Sequence, residues 1–233
     1  MLYYLKLGHL EVKIKKLTYN GPNSSEYMDI NGIWAHRFGN KILKDTVEYD
    51  EIIKGLESIP VPVCDGFKRK PYDVKQGLLN SMIDYVFEKR GWETQPFIDT
   101  RSNRESSQKG DFAKTTEDGI KIFVEVEFGN VASTFRDFYK FNLAYSLETY
   151  DCGIFILPDK SLAKRIDTIQ NFDGAKKLVK EARNFINLPL IIIGVGAGKE
   201  IDLLSIKDDV NYWKTYKIDD FTQIIKDHKE LFF

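Results

Sequence analysis

Apolar and polar residues alternate most regularly over positions 120–128. Ile120, Ile122, Val124, Val126 and Phe128 fall on one side, and Lys121, Phe123, Glu125 and Glu127 on the other. A period of two predicts a β-strand, and Gly129-Asn130 predicts its end. Two other runs have no polar side. Positions 153–157, stopped by Pro158, and positions 188–195, bounded by Gly194, Gly196 and Gly198, predict central strands covered on both faces. Elsewhere the period becomes helical. Over 72–90, Val74, Leu78, Leu79, Met82, Ile83, Val86 and Phe87 share one helical face, and Gly91 is placed to stop the helix. Further helices are predicted over 47–56, 131–147, 160–168 and 173–185. Leu10, Val12, Ile14 and Leu17 predict a strand over 10–18, followed by a turn at Tyr19-Asn20-Gly21-Pro22-Asn23. Residues 99–118 are polar and predict irregular chain. The order strand, helix, strand, helix, strand predicts an α/β fold, a central mixed β-sheet flanked by helices.

Composition narrows the class. The 233 residues suit one domain, with 42% hydrophobic and 30% charged side chains, which excludes wholesale disorder and coiled coil. No apolar run approaches the ~20 residues of a membrane span, and positions 1–10 lack the pattern of a secretory signal. Asn23-Ser24-Ser25 is therefore read as loop, and a cytoplasmic location is expected. Cys64 and Cys152 have neither metal nor redox spacing, and His9, His36 and His228 are scattered, which gives a His-built centre little support. Net charge is −1, weighing against non-specific coating of nucleic acid. The distribution is less even: positions 159–199 hold eight Lys/Arg against four Asp/Glu, and 200–233 hold five against eight. Such a run is an ordinary solvated face or a site for a polyanion.

The sharpest chemical signal is Asp111 with Glu125 and Glu127. On a strand the two glutamates project from one face, roughly 7 Å apart. A bend through the segment containing Gly119 brings Asp111 beside Glu125. Convergent carboxylates repel unless a cation neutralises them, and hard oxygen ligands suit Mg²⁺ or Mn²⁺. The same pattern also describes the solvent face of a half-buried strand.

Asp111-Phe112, followed by Phe123-Val124-Glu125-Val126-Glu127-Phe128-Gly129-Asn130, resembles the catalytic segment of the type II restriction endonucleases of the BamHI, BglII and BstYI group, within the PD-(D/E)xK nuclease superfamily. Most superfamily members carry Lys at the last motif position. BamHI carries Glu there, as Glu127 stands here, and BglII and BstYI carry Gln. Three further stretches agree: Asn80 with Trp92; Gly129-Asn130 through Arg136 to Lys140; and Ile154-Phe155-Ile156-Leu157-Pro158 with Leu162-Ala163 and Leu190-Ile191-Ile192-Ile193-Gly194. The resemblance covers about residues 72–197. It implies a restriction-endonuclease-like core within a single endonuclease domain over 1–233, with 1–60 and 200–233 as peripheral elements.

The resemblance also implies roles. Asp111 and Glu125, with Val126, become the metal ligands for Mg²⁺, which Mn²⁺ can replace. Glu127 orients or deprotonates the attacking water, and Asn80 supports the centre from the helix over 72–90. Glu88 is a weaker acidic candidate near that helix's end. Asn130, Ala132, Ser133, Arg136 and Asp167 become DNA contacts, since a helix start favours phosphate and an Arg can bond guanine bidentately. The helix over 131–147 pairs two subunits, and a homodimer reads a palindrome by its two-fold symmetry. The expected function is Mg²⁺-dependent cleavage of both strands of double-stranded DNA at a GATC-centred palindrome, leaving 5′ overhangs. Two departures bear on specificity. Asp167 is followed by Thr168 where BamHI has Arg, and Ala132 replaces a serine.

Two other readings compete. Gly194-Val195-Gly196-Ala197-Gly198-Lys199 suggests a phosphate loop, but Ile193 stands at the required first glycine and Glu200 where Ser or Thr would hold Mg²⁺. A loop leaving a central strand explains it better. A sequence-specific DNA-binding protein with a nuclease-like fold is the alternative from another class, and a nuclease for modified or damaged DNA is the alternative within the same chemistry.

Overall fold

The computed structural model of the chain describes residues 28–215 and 218–232. The strand expected over 10–18 and the turn after it lie outside the described residues. In chain order the elements are β1 (Met28–His36), α1 (Gly39–Leu43), α2 (Val47–Leu56), β2 (Val61–Val63), α3 (Gln76–Lys89), β3 (Glu93–Thr94), β4 (Phe112–Thr115), β5 (Lys121–Val126) and α4 (Val131–Ser146). They continue as β6 (Cys152–Pro158), α5 (Lys160–Ile166), α6 (Phe172–Glu181), β7 (Leu190–Ala197), β8 (Glu200–Asp202), α7 (Leu203–Ile206), α8 (Val210–Thr215), α9 (Ile218–Asp227) and α10 (Lys229–Phe232).

Six strands form one mixed sheet in the order β1-β7-β6-β5-β4-β3. β5, β6 and β7 run parallel, while β4 lies antiparallel to β5 and β1 antiparallel to β7. β6 and β7 are interior strands, each paired on both sides, and are buried along almost their whole length, as their apolar runs predict. The alternation in β5 sorts its side chains into two cores. Ile122, Val124 and Phe128 pack with Leu78, Leu79, Met82, Leu162 and Ile166 on one face of the sheet, where α2, α3, α5 and the C-terminal helices lie. Phe123 packs with Phe138, Phe141, Ala175 and Val179 on the other face, under α4 and α6. The helices begin at short polar caps: the side chains of Thr46, Asn130, Asp159 and Asn171 each accept a main-chain N–H of the first turn.

Three expectations need correction. Residues 99–118 are not wholly irregular, because Phe112–Thr115 form β4, paired with β5 from Phe112↔Val124 to Thr115↔Lys121. Phe112 and Ala113 are both buried, so this short strand has no alternation to read. The helix expected from 72 starts at Gln76, since the N–H groups of Asp73 and Val74 donate instead to the Arg165 carbonyl. Its stop is as expected, with Gly91 at φ +76° just past Arg90. The strand expected over 188–195 runs from Leu190 to Ala197, because β1 pairs with it as far as Met28↔Ala197. β1 itself escapes the pattern: its register shifts between Ile30 and Gly32, and one extra residue breaks a period of two.

Candidate active site

The site forms where β5 ends and α4 begins, on the side toward α3. Asp111 reaches it through Gly110, whose Cα lies so close to the Phe123 ring that any side chain would collide with it. The Asp111 N–H then donates to the Val124 carbonyl at 3.3 Å, and its Oδ2 accepts the Val126 N–H at 2.7 Å. Asp111 is thereby laid along β5 next to Glu125. Glu125 is buried, 1% exposed. Its Oε2 accepts the Lys140 ammonium at 2.8 Å, and its Oε1 is buried with no hydrogen-bond partner. Glu127, buried as well, turns toward α4: its Oε1 accepts the Gly129 N–H, and the Asp137 carboxyl is close enough to raise its proton affinity. A side chain at position 129 would meet the Glu127 carboxylate and displace it. The solvated-strand reading of the two glutamates is therefore not what the fold produces.

These groups line one cleft of about 260 Å³, with Gln76 and Asn80 from α3 on one side and Ser133, Arg136, Asp137 and Lys140 from α4 on the other. Burial pushes the Asp111 carboxyl up from its ordinary value, against the opposing pull of the Val126 N–H and Lys140. Glu125 is raised well above the usual carboxylate range by burial first, then by Asp111 and Asp137. Glu127 is pushed up to about 8 by burial and by Asp137. Burial pulls the Lys140 ammonium down, but Glu125, Asp137 and Asp111 outweigh it and its pKa ends above the ordinary value.

The residues fit a hard divalent cation of a particular kind. Among the described residues no three His, Cys, Asp or Glu side chains form a ready-made cage for an ion. Asp111 and Glu125 stand together, while Glu127 is engaged with Gly129 and Asp137. Mg²⁺ commonly takes one or two carboxylates and fills its other positions with water and substrate phosphate. Two acceptor atoms in the cleft, Glu125 Oε1 and Asn80 Oδ1, are buried without a donor, which suits that demand.

Of the remaining expected residues, Val126, Ser133 and Arg136 line the cleft, and Asn130, Ala132, Asp167 and Glu88 do not. Val126 lines the cleft, half-buried between the two glutamates. Asn130 caps α4, its Oδ1 accepting the Ser133 N–H at 3.2 Å. Ala132 and Arg136 are exposed on the first turns of α4. The segment carrying Asp167 is tied to the same helix start, since the Gln170 N–H donates to the Gly129 carbonyl at 3.3 Å. Asp167 itself is exposed, 3.5 Å from the Lys68 ammonium. Glu88 is exposed on α3 and does not line the cleft.

The sequence assigns no role to Asp137, Lys140 or Asp84. The buried face of α4 holds Thr134, Asp137, Phe138, Lys140, Phe141 and Ala144. Two opposite charges three apart on an otherwise packed face are the signal that would have found Asp137 and Lys140. Asp84 lies one turn beyond Asn80 and is exposed. Its carboxyl is pushed up to about 6 by the packing around it and then by Asp111 and Glu88.

Comparison with known proteins agrees with this architecture. The solved structure of restriction endonuclease BglII complexed with a DNA 16-mer superposes with a TM-score of 0.59 at 16% identity, covering 72% of this chain and 76% of that one. Free BglII gives 0.51 at 18% identity, covering 72% and 78%. No curated protein matches the chain. The family model for restriction endonuclease BglII/BglIII matches residues 32–195, more than half of the sequence and nearly all of the main sheet. The chain therefore belongs to the BglII/BglIII family of restriction endonucleases, enzymes that cut double-stranded DNA.

Proposed function

We propose that this endonuclease is a Mg²⁺-dependent homodimer that cuts both strands of a GATC-centred palindrome and leaves 5′ overhangs. The observation that carries the reading is the pairing of Asp111 with Glu125 at the end of β5, under the start of α4. Asp111, Glu125 and the main chain at Val126 are the groups that would hold the ion. Bound there, Mg²⁺ or Mn²⁺ acidifies a water and stabilises the charge that develops on a phosphodiester.

The chain's own groups do the rest. Glu127, fixed by the Gly129 N–H and pushed up to about 8, is a capable acceptor for the proton of an attacking water once it is ionised. Asn80 directs its amide into the cleft from α3 and supports the centre. Asn130 keeps its amide NH₂ group for DNA while its oxygen caps α4. Arg136 is exposed, lines the cleft with Ser133 and is placed to bond a guanine, with Ala132 exposed on the same first turns of α4 and Asp167 on the segment tied to the helix start through Gln170. Val131, Phe135 and Tyr139 stand four apart on α4 and are 44%, 55% and 52% exposed, a stripe that suits burial against a second copy. A BglII bound to DNA has the same fold, which supports duplex DNA as the partner.

Digestion of an unmodified plasmid with Mg²⁺ and with EDTA, followed by mapping of the ends, tests this reading. Discrete fragments with 5′ overhangs centred on GATC support it. Sequence-specific retention without cutting points instead to a binding protein. Cutting confined to modified DNA points to the other nuclease.

A further inference from the structure

Lys140 brings a positive charge to a place already crowded with carboxylates. It is 6% exposed, with its ammonium 2.8 Å from Glu125 Oε2 and 3.3 Å from Asp137 Oδ1. Asp111 is close enough to raise its proton affinity, and Glu127 is joined to the cluster through Asp137. Its neighbours on the buried face of α4 are Phe138 and Phe141. Burying an ammonium beside such residues is unfavourable alone, and so is burying several carboxylates. Each offsets the other here. The arrangement also divides Glu125, which lines the cleft: one oxygen is occupied by Lys140 and the other is buried without a hydrogen-bond donor.

We propose that Lys140 is an internal stand-in for the divalent cation. It lets Asp111, Glu125 and Asp137 assemble without metal, and its charge keeps ion binding weak in the free protein. Loading is thereby deferred until DNA phosphate oxygens add further ligands. The inference rests on the reading above that Asp111 and Glu125 hold a divalent ion. It assigns Lys140 as a positioning residue, acting through Glu125.

The test is Mn²⁺ binding to the full chain without DNA, by calorimetry, with thermal melting alongside. Lys140→Met should bind Mn²⁺ about tenfold or more tighter than the wild type, the direction expected when a like charge a few ångströms away is removed. Its metal-free melting temperature should fall and recover as Mn²⁺ is added. Lys140→Arg, which keeps the charge, should retain the weak wild-type affinity. Equal or weaker Mn²⁺ binding by Lys140→Met overturns the proposal while leaving the metal centre standing. If Lys140→Met folds only with Mn²⁺ present, the stand-in role is supported. If it stays unfolded at saturating Mn²⁺, Lys140 is only a core support and the proposal fails. Mn²⁺ that binds neither wild type nor variant overturns the metal centre itself, and the inference with it.

Discussion

The side chain of Asp111 is fastened to the main chain of Val126, its Oδ2 accepting the Val126 N–H at 2.7 Å. This bond sets the carboxylate beside the strand residue that separates Glu125 from Glu127. It also separates two roles of Asp111, the hydrogen bond and the charge.

Asp111→Asn keeps an acceptor for the Val126 N–H and removes the charge. Cleavage should fall by about 100-fold or more, the scale on which loss of electrostatic stabilisation is felt, while the variant melts near the wild type and still binds its DNA. Glu125→Ala should likewise abolish cutting with binding largely intact. Single-turnover cleavage and fluorescence anisotropy on one duplex separate the two effects. Retained cutting by either variant removes that residue from the metal centre.

The metal-free protein should lose stability as pH rises. Glu127 titrates at about 8 when folded, against an ordinary value of 4.5. Between those values the folded state holds a proton that the unfolded state has lost, so the slope of stability with pH is negative in that window and flattens above it. Glu125, raised by burial, acts in the same sense. Melting curves in EDTA from pH 5 to 9 should show the decline, and Glu127→Gln should reduce it. Stability that instead rises over that range contradicts the buried, protonated Glu127.

Much of this centre was legible in the sequence, and the reasons for the rest are physical. Ile122, Val124 and Glu125 announce β5 because its two faces differ, one apolar and one carrying the acids. β4 was hidden because Phe112 and Ala113 are buried on opposite sides, and β1 because a register shift near Asn31 interrupts its alternation. Asp111, Glu125 and Glu127 were visible as residue types. Their partners Asp137 and Lys140 were not, since on α4 they read as surface charges until the helix is seen to turn them under itself. The proximity of the Asp167 segment to Asn130 depends on the Gln170–Gly129 bond, a long-range contact that no local pattern encodes.

Arg136 should carry sequence information. Its side chain is 60% exposed and 3.9 Å from Asp137, leaving the guanidinium largely available. Arg136→Ala should weaken binding to the cognate duplex by about 1–3 kcal/mol and change non-specific binding far less. Binding isotherms on cognate and scrambled duplexes across a salt series check this. A uniform loss with a shallower salt slope marks a phosphate contact instead.

Phe135→Asp should break the proposed dimer. Phe135 is the middle member of the exposed stripe on α4, so a charge there opposes its burial against the same stripe of a second copy. Sedimentation equilibrium should show the wild type as a dimer and the variant as a monomer with an unchanged melting profile. Plasmid cutting should slow or stop at nicked circles. A wild-type monomer that still makes double-strand breaks contradicts this interface.

The central claim is that Asp111 and Glu125 gather a divalent cation at the end of β5. An anomalous difference map from crystals of the protein bound to duplex DNA and soaked in Mn²⁺ tests it most directly. The account predicts a peak bounded by the two carboxylates. A well-occupied Mn²⁺ elsewhere, with nothing between Asp111 and Glu125, would contradict it.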